Sequence, residues 1–496
     1  MAEQVKFDSA AVAEAGPWGA EWGRSLREGV PLESHAEYTP ADDRPDVIDL
    51  ITDEDKGRLE VLVPVRHHRM SQSAFTFFRG TAAIMGMDLA STPISRISAQ
   101  LCGDAHLSNF GTFASPERHL VFDVNDFDET VVGPWEWDLK RLATSFAIAA
   151  RHLGMSRRKQ RKLAKTATEA YRQKMKAFAG EDYLDVWYTQ TRVSEIMDEL
   201  SGDLTKKERK QNQKMVEKAE SKDSFHALRK LAEKTDDGYR IVSQEPLIVP
   251  LRDITDGQLA TGMSLSSIED VITSQYMQYR ETVAQELLPL LNRFRFVDMA
   301  LKVVGVGSVG QACFVVLLQG RGTGEPFFLQ IKQAGDSAIQ PYLPEDLFPP
   351  PGAPSVAAGE ESTDKALLPG QRVVLGQRIL QAASDSFLGW TEKPAGGRYY
   401  YWRQFKDMKG SFDVESADYS SLRQYAKLCG FVLARAHAFS GDTAAIAGYL
   451  DSGTVFEEAV GDFAVAYADQ NDRDYVEFKS AIDLGKLPAY PGVTSV

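Results

Sequence analysis

Hydrophobic residues recur with two different periods along this chain. Between about 135 and 235, and again over 268–291, the apolar positions follow a helical period, which predicts amphipathic helices. Strand character takes over from 295, in runs rich in β-branched and aromatic residues. The predicted helices are 135–153, 157–178, two further charged stretches that end near 235, and 268–291. The predicted strands are 295–304, 312–318, 326–332 and 399–405, with a helix over 371–384 and a helical C-terminus.

Shorter patterns and two irregular stretches complete this organisation. Residues 97–101 predict a strand, and 109–113 with 119–124 predict a hairpin closed by a turn-compatible tetrad. The polar, turn-rich residues 1–59 are predicted to wrap a surface. Residues 343–370 hold six prolines together with Gly, Ser and Glu, and are predicted to form a mobile insertion.

The composition describes a soluble globular protein. With 496 residues, 43% of them hydrophobic, the chain is long enough for two lobes or more. It has neither a long uninterrupted apolar run nor a secretion signal, so we expect a cytoplasmic protein without a membrane partner. A formal net charge of −14 argues against a nucleic-acid partner. The three cysteines are far apart, which predicts neither disulfides nor a zinc site.

The first candidate site combines the loop G-D-A-H-L-S-N at 103–109 with D-V-N-D-F-D-E at 123–129. A carboxylate at Asp104 can orient an acceptor hydroxyl and take its proton. The amide oxygen of Asn109 and the carboxylate of Asp126 are hard ligands that suit Mg²⁺ between phosphates. The D-x-x-x-x-N spacing followed by D-F-D is therefore typical of a phosphoryl-transfer centre. The alternative is a cluster that only caps turns, in which Asp and Asn are common.

A second candidate site is the G-x-G-x-x-G of Gly305, Gly307, Ser308 and Gly310. A dinucleotide-binding fold requires a helix after these glycines, but the following residues have strand character. Strand, glycines and strand form the phosphate-covering loop of kinases, and Lys332 ends the next strand, where the kinase lysine pairs with phosphates. The alternative is an ordinary hairpin with a glycine turn and an exposed lysine.

Together these motifs resemble the aminoglycoside phosphotransferase and choline kinase branch of the kinase-like superfamily. The resemblance rests on G-D-x-H-x-x-N, on N-D-F-D and on W-D-L-x-R-L-A at 137–143. It implies that Asp104 is the catalytic base, that Asn109 and Asp126 bind Mg²⁺, and that Asp138 is a buried structural acid. The loop residue His106, and Asp128 as further charge on the metal side, are implied as supporting residues.

The order of the segments implies a circular permutation. The helix at 428–437 looks like the one that precedes the catalytic loop in those enzymes, yet it lies near the C-terminus. The resemblance thus implies an α+β fold with two lobes, a small antiparallel-sheet lobe and a mainly helical large lobe. The segments are then 1–59 at the surface, 60–294 in the large lobe, 295–406 as the small lobe with the insertion, and 407–496 completing the large lobe.

The same resemblance implies an ATP site between the lobes. ATP would lie between the glycines with Lys332 and the pair Asn109 and Asp126, with its adenine at the strand end near Gln404. The glutamate that pairs with the lysine in kinases has no counterpart on the predicted helix 371–384. What holds the lysine toward the phosphates is left open by the sequence.

Nearly the whole chain also resembles an uncharacterised bacterial family, domain of unknown function 2252. The shared features include R-x-x-R-M at 66–70, F-F-R-G at 77–80 and Y-A-D-Q at 467–470. The family carries no assigned activity. Three arginines of these motifs are candidates for an anionic acceptor or product site, or for ion pairs with the many acids of the chain. They are Arg66, Arg69 and Arg79.

The expected function is ATP- and Mg²⁺-dependent transfer of the γ-phosphoryl group to a hydroxyl of a small molecule or protein. One alternative is transfer of the nucleotidyl group by the same site, and another is a nucleotide-binding pseudokinase. A weaker alternative is a Rossmann-type oxidoreductase. The sequence specifies neither the acceptor nor the oligomeric state.

Overall fold

The computed structural model describes most of the chain. The described residues are 18–200, 216–217, 221, 224–236, 238–245, 247–253, 265–303, 305–322, 324–348, 367–395, 397–405 and 408–490. Residues 1–17 of the predicted N-terminal segment and 349–366 of the predicted insertion lie outside this part. None of the described helices is both long enough and apolar enough to cross a membrane.

The described elements mix helices and antiparallel strands, which confirms the α+β class. The helices are α1 (Ala20–Ser25), α2 (Val47–Asp55), α3 (Val63–Met70), α4 (Ala74–Phe78), α5 (Ala82–Leu89), α6 (Trp135–His152), α7 (Arg157–Phe178), α8 (Tyr183–Tyr188), α9 (Val193–Leu200), α10 (Ser224–Leu231), α11 (Leu265–Thr282), α12 (Leu288–Leu291), α13 (Pro369–Leu380), α14 (Tyr419–Ser440), α15 (Thr443–Leu450) and α16 (Val455–Asp483). The strands are β1 (Ser98–Leu101), β2 (Phe110–Ala114), β3 (Leu120–Val124), β4 (Val131–Pro134), β5 (Ala232–Thr235), β6 (Gly238–Ile241), β7 (Ile248–Pro250), β8 (Phe294–Lys302), β9 (Cys313–Gly320), β10 (Pro326–Ala334), β11 (Gly389–Trp390), β12 (Tyr399–Gln404) and β13 (Gly410–Ser411).

The largest hydrophobic core lies between the helices α6, α7, α14 and α16. Helix α6 is buried along nearly its whole length, because α7 and α16 cover it and β1 and β4 lie at its N-terminal end. Trp135 at its first position stacks on Tyr171 of α7, with ring centroids 5.5 Å apart. This rigid helix carries the side chains that hold the candidate loops.

A six-stranded antiparallel sheet forms the second layer, in the order β11, β12, β10, β9, β8, β7. Successive side chains of a strand point to opposite faces. On β10 Ile331 therefore lies in one apolar face of the sheet, while Lys332 points to the other side, toward the helical part. The register places Lys332 opposite Tyr401 of β12 and opposite Cys313 of β9.

The segment before 294 packs differently from the prediction, which placed it with the large lobe. Strand β7 pairs with the edge of β8, and helix α11 packs on the sheet through Tyr279, which stacks on Trp402. An apolar sheet needs cover on its faces and at its edges, and this segment supplies both. The predicted helix 268–291 is also two helices, because Pro289 starts the short α12 after a break.

Most other predicted elements are confirmed within a few residues. The exception is the end of the helical block near 235, where the hairpin of β5 and β6 replaces helix. The three cysteines, Cys102, Cys313 and Cys429, are buried free thiols.

The described part of the N-terminal segment lies on the C-terminal helices. Arg27 donates to the main-chain oxygen of Tyr449 in α15 at 2.8 Å. Arg44 forms bidentate pairs with Asp88 of α5 and with Asp474 of α16, and all four distances lie between 2.7 and 3.0 Å. Charge-assisted hydrogen bonds, which are stronger than hydrogen bonds between neutral groups, therefore join residues distant in sequence.

Close packing of α14 on α7 gives a test of the core. A Cβ at Gly430 would lie 2.2 Å from the main-chain oxygen of Ala167, so Gly430→Ala must push the two helices apart. We expect a loss of about 1–3 kcal/mol in the free energy of unfolding. Gly461→Ala is the matched control, since its Cβ would meet only ordinary contacts at 3.4 Å. This helix-interior alanine should be neutral or stabilise by up to about 1 kcal/mol in denaturant unfolding. Equal effects at both positions would contradict the packing.

Candidate active site

A buried carboxylate on α6 fixes the start of the loop 103–109. Asp138 of α6 accepts hydrogen bonds from the backbone nitrogens of Cys102 at 2.6 Å and Gly103 at 2.9 Å. Gly103 has a φ of +81°, and a Cβ there would lie 2.0 Å from the main-chain oxygen of Glu129. Only glycine fits this close approach of the two loops. Asp138 is therefore a buried acid that holds the backbone at the start of this loop.

The same carboxylate connects the loop to the C-terminal helices. His437 of α14 places its Nε2 3.4 Å from Asp138 Oδ2, and its Nδ1 lies 2.9 Å from the hydroxyl of Tyr171. The next turn of α14 lies beside β1, where Ser440 Oγ accepts from the backbone nitrogen of Gln100 at 3.0 Å. The end of the helix containing 428–437 thus lies next to the strand that leads into the loop.

Asp104 lies at the start of the loop and is held by three neighbours. Arg141 of α6 donates from Nε to Asp104 Oδ1 at 2.6 Å. Asn109 Nδ2 lies 2.9 Å from the main-chain oxygen of Asp104, and His106 Nε2 lies 3.5 Å from its carboxylate. Burial raises the pKa of Asp104 to about 6, although Arg141 opposes this shift. A carboxylate with this pKa suits proton transfer near neutral pH.

The side chains of Asn109 and Asp126 border the same cavity, which we call the central cavity. Its volume is about 740 Å³, and its lining includes Gly305, Ser308 and Lys332 from the sheet layer. Gln404 at the end of β12 also lines it, and its backbone nitrogen donates to Asp385 at 2.6 Å. Residues that the sequence predicted from distant motifs therefore meet in one cleft.

The partners of Lys332 lie on the loop between β3 and β4 and not on a helix. Its Nζ lies 2.5 Å from Asp128 Oδ2 and 3.4 Å from Asp126 Oδ1, and Tyr401 donates to the other oxygen of Asp128 at 2.7 Å. Burial alone would lower the pKa of Lys332, but the two carboxylates raise it well above its usual value. The acid closest to Lys332 is thus Asp128, which the sequence predicted on the metal side.

Helix α13 corresponds to the predicted helix 371–384. Its Arg372 holds the loop that carries Asp126 and Asp128. Arg372 donates to the main-chain oxygens of Asp128 and Gly335, both at 2.8 Å, and also to that of Thr130. The loop that carries the carboxylates is therefore connected to the sheet layer by both its side chains and its backbone.

Three cations beside Lys332 were not identified from the sequence. Arg403, Lys409 and Lys302 line the central cavity on the side of Asp126. Burial alone would raise the pKa of Asp126, but the charges of Lys332, Arg403 and Lys409 lower it to about 2. Burial and the neighbouring Arg403 lower the pKa of Lys409 to about 7. Lys302 and Arg403 lie on strands without a distinctive motif, and Lys409 precedes β13. Only the alternation of β12 could have indicated that Arg403 shares a face with Tyr401.

The glycine-rich loop is held down on the helical part of the molecule. Arg58 donates to the main-chain oxygens of Gly307 and Val309, both at 2.7 Å, and Arg69 donates to that of Gly305 at 2.7 Å. Gly310 packs against the side chain of Arg58, where a Cβ would lie 2.9 Å from it. Strand β9 follows the loop, so these glycines are not followed by the helix that a dinucleotide-binding G-x-G-x-x-G requires.

The three arginines of the N-terminal motifs have different surroundings. Arg66 is buried and pairs with Glu54 and Asp55, both at 2.8 Å, so it belongs to a structural ion pair. Arg69 holds the glycine-rich loop. Arg79 lines a small cavity of about 80 Å³ with Asp104, His106 and Gly307, and this second space adjoins the central cavity at Asn109 and Asp126. We call it the small cavity.

The oxygen donors fit a magnesium ion that a nucleotide brings with it. In the part of the chain that the structure describes, no group of three or more His, Cys, Asp or Glu side chains is arranged as a metal site. Mg²⁺, however, commonly binds one or two protein ligands together with substrate phosphates. Asp126 is ionised and about one-third exposed to the cavity, and the amide nitrogen of Asn109 faces Asp104, which leaves its oxygen for a cation.

A double-mutant cycle tests the pairing of Lys332 with Asp128. Removing either charge leaves the other buried, so Lys332→Met and Asp128→Asn should each lower the free energy of unfolding by about 3 kcal/mol or more. The double variant should lose less than the sum, with a coupling of about 1–3 kcal/mol. The exposed pair Lys479 and Asp483 is the control, and its cycle should couple by less than about 0.5 kcal/mol. Additive losses at Lys332 and Asp128 would show that the pair does not form.

Comparison with known proteins places the chain in a family. Searches among curated proteins and among solved structures found no match. A family model described as an uncharacterised protein conserved in bacteria matches residues 58–481, which is most of the chain. The matched range contains the candidate loops, the sheet and the helices α6, α7 and α14. The chain therefore belongs to the bacterial family DUF2252.

Proposed function

We propose that this protein is an ATP- and Mg²⁺-dependent phosphotransferase with a circularly permuted kinase-like fold. The observation that carries the proposal is the composition of the central cavity. There the hard oxygen donors of Asn109 and Asp126 face the cations Lys332, Arg403 and Lys409 across one cleft. Positive charge is concentrated here in a chain whose formal net charge is −14. Such a combination suits a polyphosphate with its metal ion.

The contacts between distant segments support the permutation. In the kinase-like order, the helix before the catalytic loop continues directly into it. Here the end of α14 contacts β1 through Ser440 and Gln100, although the two residues are 340 positions apart. The sheet with Lys332 follows the catalytic loop in sequence but lies over it in space. A circular permutation, in which the original chain ends are joined and new ends arise elsewhere, would produce this arrangement.

The shape of the central cavity supports a nucleotide as ligand. Its volume of about 740 Å³ lies within the range of about 300–1,000 Å³ that small-molecule sites occupy. The cations and the glycine-rich loop would hold the phosphates. The end of β12 near Gln404 and Phe405, which also lines the cavity, would contact the adenine.

The chemistry assigns separate roles to the side chains. When bound, Mg²⁺ would neutralise charge on the phosphates, and Asn109 and Asp126 would hold it. Arg141 fixes the Asp104 carboxylate beside the cleft. As the acceptor oxygen attacks the γ-phosphorus, Asp104 takes the hydroxyl proton, the bond from the γ-phosphorus to the bridging oxygen breaks, and ADP leaves. Lys332, Arg403 and Lys409 remain as cations around the phosphates.

Mass spectrometry distinguishes this reaction from the other uses of the same site. The purified protein and candidate hydroxyl acceptors are incubated with Mg-ATP, and their masses are then compared with and without nucleotide. A gain of phosphate on an acceptor or on the protein supports the proposal. A gain of AMP would assign nucleotidyl transfer instead. Nucleotide binding with no mass change on any acceptor would indicate a nucleotide-sensing pseudokinase.

We expect Mg-ATP to stabilise the protein. A ligand at about 100 times its Kd adds roughly 2.7 kcal/mol to the free energy of unfolding. Thermal unfolding with ATP, with and without Mg²⁺, measures this effect. Asp126→Ala should abolish the magnesium dependence, whereas Asp483→Ala, which changes an exposed carboxylate, should leave it intact. A magnesium-dependent shift that survives Asp126→Ala would remove Asp126 from the metal site.

We expect turnover to depend on the protonation of Asp104. A base works only when it is unprotonated, so kcat should rise as the pH increases through about 6 and level off above it. Asp104→Asn should lose about 10² to 10⁴ in kcat, with ATP affinity unchanged within a few-fold, because other residues hold the nucleotide. The assay is phosphate release from ATP, with water as a slow acceptor. Wild-type turnover in Asp104→Asn would exclude Asp104 as the base.

A further inference from the structure

The small cavity contains an arginine that forms no direct ion pair in the described part of the chain. Among the described residues Arg79 has no hydrogen-bond or ion-pair partner, and its Nε is buried. Its nearest aromatic contact is Phe75, whose ring centroid lies 6.0 Å from the guanidinium carbon. A buried donor without an acceptor costs free energy, so such a group in a native site calls for an explanation. The other arginines around the loops, Arg58, Arg69 and Arg141, all donate to protein oxygens.

The carboxylates around the small cavity already have partners of their own. Glu54 pairs with Arg66, Asp104 with Arg141, and Asp128 with Lys332. Asp126, which also lines this cavity, lies 3.4 Å from Lys332 as its second acid. The carboxylate of Glu129 accepts a hydrogen bond from the backbone nitrogen of Ala338. Arg79 is therefore a cation left over after the acids of this region have been paired, although it lies close enough to Asp104 to feel its charge.

The size of the cavity limits what Arg79 can bind. The volume of the small cavity, about 80 Å³, is roughly a tenth of the 740 Å³ of the central cavity, so it suits a small group rather than a whole nucleotide. The bound group must offer hydrogen-bond acceptors to the planar set of N–H donors of the guanidinium, and a phosphate group offers them. The cavity meets the central cavity at Asn109 and Asp126 and is lined by Asp104, so such a group would lie next to the reacting centre.

We propose that Arg79 binds a phosphate group in the small cavity. This group is either the γ-phosphate of the nucleotide or a phosphate carried by the acceptor. The assignment of the group to a transfer reaction rests on the proposed function, whereas phosphate binding itself does not. In the second case the acceptor is a phosphorylated hydroxyl compound, in which Arg79 fixes the existing phosphate while Asp104 faces the hydroxyl.

The first test uses inorganic phosphate as the probe. Calorimetric titration at constant ionic strength compares wild type with Arg79→Met, Arg79→Lys and the control Arg158→Met, which removes an exposed arginine of α7. We expect Arg79→Met to weaken phosphate binding roughly tenfold or more, because a hydrogen bond to a charged group is lost. Arg79→Lys keeps the charge without the fork and should bind with intermediate affinity. Arg158→Met should behave as wild type.

Two outcomes would overturn the proposal. One is a wild-type protein that does not bind phosphate at millimolar concentration. The other is phosphate affinity that is unchanged in folded Arg79→Met or, if that variant does not fold, in Arg79→Lys.

The second test identifies the source of the phosphate. Affinities for Mg-ATP and Mg-ADP are measured for wild type and Arg79→Met. A loss confined to Mg-ATP assigns the γ-phosphate to Arg79. Unchanged nucleotide affinities, with phosphate binding to the Mg-ATP complex lost, assign the phosphate to the acceptor. If no nucleotide binds while phosphate binding still depends on Arg79, the proposed function fails and the phosphate site stands.

Discussion

The buried charge of Lys332 is the constraint on which the candidate site depends. An ammonium group withdrawn from water costs several kcal/mol unless carboxylates and further hydrogen bonds surround it. Asp128 is the close partner, Asp126 is the second, and Tyr401 satisfies the remaining oxygen of Asp128. The lysine lies on the sheet, while both acids lie on the loop between β3 and β4, more than 200 positions away in sequence. The ion pair therefore forms only when the two parts of the chain fold against each other.

Helix α6 positions the loop 103–109, which carries Asp104. Asp138 and Arg141 are three residues apart on α6, so they lie on one face of the helix. Asp138 fixes the backbone at Gly103, and Arg141 fixes the carboxylate of Asp104. Because α6 is buried among the other large helices, these contacts place Asp104 with little freedom. Precise placement of a reacting group removes part of the barrier to a reaction, because its orientation is fixed before the reaction begins.

Local pattern was enough to predict the strands and the long helices, because period and turn residues are local properties. It was also enough to select Asp104, Asn109, Asp126 and Lys332, which the structure brings to two adjoining cavities. The partner of Lys332 could not be predicted, because Asp128 reaches it only through tertiary packing. The same holds for Lys409 and the other cations of the cleft. The cover of the sheet by residues before 294 was missed because strand β7 is short and lacks a periodic pattern.

A crystal structure with Mg²⁺ and a non-hydrolysable ATP analogue tests the central claim most directly. The claim predicts the metal ion at Asn109 and Asp126, with the phosphates between the glycine-rich loop and the cations around Lys332. The adenine should lie toward the end of β12. Analogue bound elsewhere with the central cavity empty, or no bound analogue at saturating concentration, would contradict it.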